Sequence, residues 1–356
     1  MTSRERVRRA IAHQEPDRVP INYFANPEVT AGLHQHFGLA GHDHEGLRQR
    51  LGVDFRSVGP RYIGPPLPDL GPDRRQGLWG VRTRRVGHGT GEYWDYAEWL
   101  LRDAATVEEI DAFPYHLHPD HFDYGSLPAQ LAATEGYCRV LGGPGTPDLL
   151  NGSGMVMTPE RVLLDLGLES EVLFRLFDLR TEFHVEFTRR CIEAADGQID
   201  LFWMGEDLGS QKGPLISLNT FRRHIRPRHE RVMAVARDYG IPIMLHSCGS
   251  TRRFMPDLID MGFDVLDTLQ PEAAEMEPAE LKAEFGDRLA FHGMISTAGA
   301  VAYGTVDEVV AEVTERLVTM MPGGGYCLAP THSLQSNSPT ANVVAMYETA
   351  QRLGVY

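Results

Sequence analysis

The chain has 356 residues, 42% of them apolar, which supports a large core and lies within the range of one α/β barrel. Its formal charge of −15, from 34 Lys and Arg against 49 Asp and Glu, offers no extended basic face to nucleic acid or an anionic membrane. There is no apolar leader and no apolar run of about 18 residues, so the four scattered cysteines, Cys138, Cys191, Cys248 and Cys327, read as reduced thiols of a soluble cytoplasmic protein.

In chain order, residues 3–13 predict a short helix. A turn at Pro16-Asp17 leads to a first strand beginning near 19 and ending at Asn22 and Tyr23; a helix at about 27–37 and a strand at 53–58 follow. From 59 to 136 the alternation fails. Gly, Pro and aromatic residues crowd 61–79, a hairpin-like stretch covers 80–96, and Thr106-Val107-Glu108-Glu109 opens a short helix with a capping box. Residues 59–136 are expected to be an irregular insertion in a single domain spanning 1–356.

Alternation resumes with a strand at 137–142, a glycine- and proline-rich loop to Met157, a helix capped by Thr158-Pro159-Glu160 and a long helix over 169–195. A strand at 200–205 ends at Glu206-Asp207, and a helix at 218–239 leads to Ile241-Pro242-Ile243-Met244-Leu245. That run reads as a buried strand with His246 and Cys248 just past its end. Strands at 263–267, 288–293 and 325–330 follow, separated and closed by helices. Eight strands alternating with helices predict an α/β fold, a (β/α)8 TIM barrel with an N-terminal helical segment and the insertion between strands 2 and 3. The alternative, a doubly wound sheet, usually carries a Gly-rich turn after its first strand, which residues 22–27 lack.

Barrel chemistry sits at the C-terminal strand ends, here Asn22, Tyr23, Glu206, Asp207, His246, Cys248, Asp267, Gln270, His292 and His332. Residues i and i+2 share one side of an extended backbone, so the imidazole of His246 and the thiolate of Cys248 can face one point, a pairing that suits zinc. Glu206, His246, Cys248 and His332 are expected to converge as an O, N, S, N ligand set with one exchangeable position. Other readings stay open. Glu206-Asp207 could hold a loop backbone or a substrate hydroxyl, and His332 could be a general acid or substrate anchor without metal. Cys327 is a rival thiolate ligand, although its place inside the last strand reads as core.

Pro322-Gly323-Gly324-Gly325-Tyr326, Leu328-Ala329-Pro330-Thr331-His332-Ser333-Leu334-Gln335 and Ser338-Pro339-Thr340-Ala341-Asn342 resemble the C-terminal signature of the uroporphyrinogen decarboxylase superfamily. Gln270-Pro271, Leu281-Lys282, Phe285-Gly286 and Phe291-His292-Gly293 do so as well, and the resemblance runs from about residue 140 onward. It implies the same barrel. The true decarboxylases carry an arginine-rich N-terminal motif that grips porphyrinogen carboxylates; Pro20-Ile21-Asn22-Tyr23-Phe24-Ala25-Asn26 stands in its place here.

The other branch, zinc-dependent methyltransferases working with corrinoid proteins or thiols, uses His-x-Cys after strand 5, which His246 and Cys248 match. The late cysteine of that branch corresponds here to His332 and not to Cys327. The resemblance therefore implies a zinc-dependent methyltransferase that moves a methyl group between a small substrate, such as an aromatic methyl ether, or a thiol and a corrinoid. The corrinoid (cobalamin) would be presented by a partner protein or bound free, and the chain is expected to form a homodimer. Glu206, Asp207 and His332 are the expected catalytic groups, and Asn22, Tyr23, Met155, Trp203 and Gln270 the expected substrate contacts. Two alternatives remain: a metal-free decarboxylase or lyase using Asp207 and His332 as acid and base, and a non-catalytic barrel that binds a corrinoid or another ligand.

Overall fold

A computed structural model of the chain describes residues 1–89 and 91–356. Seven parallel strands form the central sheet: β1 (Phe55–Val58), β2 (Cys138–Pro147), β3 (Leu201–Gly205), β4 (Ile243–Ser247), β5 (Val265–Thr268), β6 (Ala290–Ile295) and β7 (Tyr326–Pro330). They lie in chain order, and helices cross between them, as parallel pairing requires.

The expected first strand contracts to a bridge. Asn22 donates its N–H to Leu328 on β7, Leu328 donates to Pro20, and Asp54 at the start of β1 donates to Ile21. Residues 20–22 thereby span the two edges of the curled sheet and occupy the eighth position of the barrel. Pro20 has no N–H to extend the ladder, which limits this segment to a few bonds.

Alternation divides the strands into two layers. Leu201 and Trp203, Met244, Val265, Ala290 and Cys327 cluster inside the barrel, whereas Phe202, Leu245, Leu266, Phe291 and Leu328 pack outward beneath the helices. Helix α1 (Ser3–Ile11) sends Val7 and Ala10 into the inner cluster, and the Ala10 carbonyl accepts from Gly325, just before β7. The end of the barrel where the strands begin is thus plugged, and the opposite end carries the chemistry.

Helices α2 (Pro27–Phe37) and α3 (His44–Arg50) follow the bridge. Within 59–136 the chain forms an antiparallel sheet of Arg74–Gln76, Arg82–His88 and Gly91–Glu98, and the Thr106–Glu109 capping box opens the helix Val107–Asp111. After β2 the sequence reading fails locally: the stretch expected as a loop to Met157 folds as α4 (Leu149–Met157), capped by Asp148. Its glycines disguise it, and buried carboxylates at its N-terminus hold it in place. Helix α5 (Pro159–Gly167) begins at the Thr158 cap, and α6 (Glu171–Ala194) is the long helix. None of the described helices is long and apolar enough to cross a membrane.

Candidate metal centre

His246 lies within β4 rather than past its end, because the strand begins two residues later than the apolar run suggests, after Pro242. It occupies an inward position, in the same layer sense as Met244, and Cys248 follows one residue beyond the strand. Three ligand-type side chains meet here. Asp207, His246 and Cys248 present atoms that all lie within 4.8 Å of one another. His246 Nε2 is 3.5 Å from Cys248 Sγ and 3.9 Å from Asp207 Oδ1.

Asp207 is locked in place. Its Oδ1 accepts the Cys248 N–H at 2.8 Å, and its Oδ2 accepts from the Asn151 side chain on α4 at 2.7 Å. Gly249 has φ 74°, a region open to glycine, and a Cβ there would stand 2.6 Å from the Gly209 carbonyl. Only a glycine lets the Cys248 turn lie this close to its neighbour.

Sheet register supplies the support beneath. His246 pairs with Asp267, Asp267 with His292, and all three are buried at one level of adjacent strands. Asp267 Oδ2 accepts the His246 Nδ1–H at 2.7 Å, and Oδ1 accepts the His292 Nδ1–H at 2.6 Å. The chain of bonds continues to Asn22, whose Oδ1 accepts the Tyr23 N–H at 2.9 Å, leaving its amide N–H to donate to His292 Nε2 at 3.1 Å. These assignments give one consistent set of protons. Nδ1 of His246 keeps its proton, and Nε2 is the nitrogen that faces Cys248 and Asp207.

Burial works against the charged form of each group, and the contacts decide the outcome. Burial alone would raise the Asp267 carboxyl, but the two imidazoles outweigh it and hold it below the usual carboxylate range. Burial would lower His246, yet its bonds to Asp267 and Cys248 raise it well above an ordinary histidine. Burial raises the Cys248 thiol, with His246 pulling the other way. A metal bound here would replace the proton between Nε2 and Sγ, so the triad can hold a metal ion in place of that proton.

Several expected site residues stand elsewhere. Glu206 is not part of the cluster: its two oxygens accept the Leu149 and Leu150 N–H groups at 2.9 and 2.8 Å, and His229 Nε2 lies at 2.9 Å. It anchors the N-terminus of α4, which is the loop-backbone reading, and the carboxylate beside His246 is Asp207. Asp207 alternates to the other side of the chain from Glu206. His332 is also outside the triad; its ring centroid is 6.5 Å from that of His246, across a pocket they share. Its ring is exposed, but the protein around the pocket mouth strips part of its hydration and, with His246 nearby, lowers its pKa.

Gln270 Oε1 accepts the Gly249 N–H at 2.7 Å and so braces the Cys248 turn rather than facing the pocket. The Asn22 side chain is committed to His292 and Tyr23. Trp203 lines the pocket, with Phe24 at 5.3 Å centroid to centroid, and Tyr23 lines an adjoining cleft. Met155 lies on α4 and lines neither. Cys327 is buried inside the barrel with Cys138, as core. The orienting role of Asp267, the Asn151 contact and the pocket residues Phe24 and Ser333 were not read from the sequence. Asp267 had a signal in it, since its strand position matches that of His246 by parity.

A His–Cys–Asp cluster at the C-terminal ends of the strands makes this an α/β barrel with a candidate metal site. The chain belongs to the family described as uroporphyrinogen decarboxylase (URO-D), whose model matches residues 138–353. Among solved structures it is similar to a methyltransferase from Methanosarcina mazei, with a TM-score of 0.62 and 17% identity over 99% of each chain. No curated protein matches it.

Proposed function

We propose that this protein is a zinc-dependent methyltransferase of the corrinoid system. It would move a methyl group between a small substrate, an aromatic methyl ether or a thiol, and a corrinoid carried by a partner protein or bound free at the open barrel mouth. The observation that carries this reading is the triad with its supported imidazole. Tetrahedral zinc, with Zn–N of about 2.0–2.1 Å and Zn–S of about 2.3 Å, sets N and S roughly 3.5 Å apart, and His246 Nε2 and Cys248 Sγ stand at 3.5 Å. The mixed N, S and O donors suit a borderline-soft ion. The similar solved structure is a methyltransferase, which accords with this choice.

Zinc there would act as a Lewis acid, lowering a thiol's pKa or drawing charge from an ether oxygen. The protein does the rest. Asp267 holds His246 in one tautomer, and Asn151 and the Cys248 N–H hold Asp207. Phe24 and Trp203 keep the pocket wall apolar. His332, whose pKa is lowered, faces the pocket as a base for the proton of an incoming thiol. A metal-free decarboxylase using Asp207 is less favoured, because Asp207 stands with His246 and Cys248 as one of three ligand-type groups whose atoms lie within 4.8 Å of one another.

The reading is tested by mixing the purified chain, a methoxyarene and a reduced free corrinoid and following the corrinoid's visible spectrum. Substrate-dependent conversion that disappears with Cys248→Ser supports it. Conversion equal in the variant, or none with methoxyarenes or methyl thioethers as donors or with thiols as acceptors of a corrinoid-borne methyl, sinks it.

A further inference from the structure

The pocket beside the triad measures about 160 Å3 and holds little beyond an ion and the reacting end of a small molecule. It adjoins a cleft of about 830 Å3 between residues 23–25, α2 and α3, and Phe24 and Ser333 line both spaces. The body of any molecule reaching the triad from this side must rest in the cleft. Its walls include the apolar surfaces of Tyr23, Phe24, Leu39 and Leu47.

Charge gives the cleft a direction. Among the described residues no acidic side chain lines it, although the chain as a whole carries −15, and its one full cation is Arg48. His44 and Arg48 are four residues apart on α3 and share a face, with the His34 ring 5.3 Å from that of His44. Arg48 is exposed, and its guanidinium donates no hydrogen bond among the described residues. Among the described residues its single ion pair is a 4.0 Å approach to Glu45, whose carboxylate is already held at both oxygens by Arg56 at 2.8 and 2.6 Å. Arg48 therefore has donors to spare, and a guanidinium fork matches a carboxylate.

We infer that the cleft is the substrate-body subsite and that Arg48 anchors a carboxylate there. The ligand is an amphipathic acid, with an apolar or aromatic body against Tyr23, Phe24 and Leu39 and its far end passed between Phe24 and Ser333 to the triad. That this acid is the methyl-bearing substrate rests on the function proposed above; the anion subsite itself does not.

The test is calorimetric titration of the full chain, with and without added zinc, using 3-(4-methoxyphenyl)propanoate and its primary amide. The amide keeps the shape and removes the charge. The native chain is expected to prefer the acid by about tenfold, the scale of one charge-assisted contact. Arg48→Gln should abolish that preference and leave the amide unchanged, and Arg48→Lys should retain part of it. Equal binding of acid and amide by the native chain, equal weakening of both in Arg48→Gln, or no binding of either overturns the subsite. The methoxy-free acid separates the two claims: its binding with the same Arg48 dependence keeps the subsite even if methyl transfer is never seen.

Discussion

Asp267 accepts the Nδ1–H of His246 at 2.7 Å, and this bond decides which nitrogen of that imidazole faces the triad. Its other oxygen is taken by His292 at 2.6 Å, so both imidazoles need a carboxylate between them. In Asp267→Asn one acceptor is replaced by a donor, and one ring must turn over or lose its bond. Metal affinity, measured by competition with a chromogenic chelator, should fall by about 10- to 100-fold. Unchanged affinity would show that His246 is oriented by something else.

Glu206 makes the opposite prediction. It is fully buried and holds two N–H groups of α4 together with His229. Glu206→Ala strands those donors and should cost roughly 3 kcal/mol or more of stability, read by urea unfolding, without changing the metal bound per folded chain. Metal loss with stability intact would restore Glu206 as a ligand.

Gly249→Ala probes the turn that presents Cys248. The new methyl meets the Gly209 carbonyl at 2.6 Å with φ held at 74°. The expected result is a loss of about 1–3 kcal/mol, with weaker metal binding as Cys248 is displaced. Gly38, which has φ 66° and open space around it, is the control: Gly38→Ala should pay only the backbone strain and keep full metal affinity.

Acid should destabilise the fold through His184 on α6. Its ring is buried and stacked on Trp79, neither nitrogen has a hydrogen-bond partner among the described residues, and burial with Arg180 nearby pushes its pKa down to about 3. The unfolded chain protonates this residue near pH 6.5 and the folded chain does not, so U binds more protons between those values and stability drops as pH falls. The slope is about 1.4 kcal/mol per pH unit below roughly pH 6.5. Unfolding curves at pH 7 and pH 5 should therefore converge in His184→Phe relative to the native chain. An unchanged pH difference in that variant would remove His184 as the cause.

The barrel and the His-x-Cys motif were legible because period-2 strands, capping boxes and strand-end positions are local features of the chain. The strand from about 19 to Tyr23 was overstated because apolar character hides how few ladder bonds Pro20 permits. Helix α4 was missed because its glycines read as loop, while its stability comes from Glu206, 56 residues away from Leu150. The choice of Asp207 over Glu206 turns on which of two adjacent carboxylates faces inward, and nothing short-range in the sequence decides that. His332 was expected as a ligand from its place after β7, and a strand-end position alone does not give the 6.5 Å separation of its ring from that of His246.

The most direct measurement is the zinc content of folded protein purified without added metal, compared between the native chain and Cys248→Ser. About one zinc per native chain, falling close to zero in the variant, is the expected result for a site with these ligands. A native content near zero, or one that Cys248→Ser leaves unchanged, would contradict the metal centre at His246, Cys248 and Asp207.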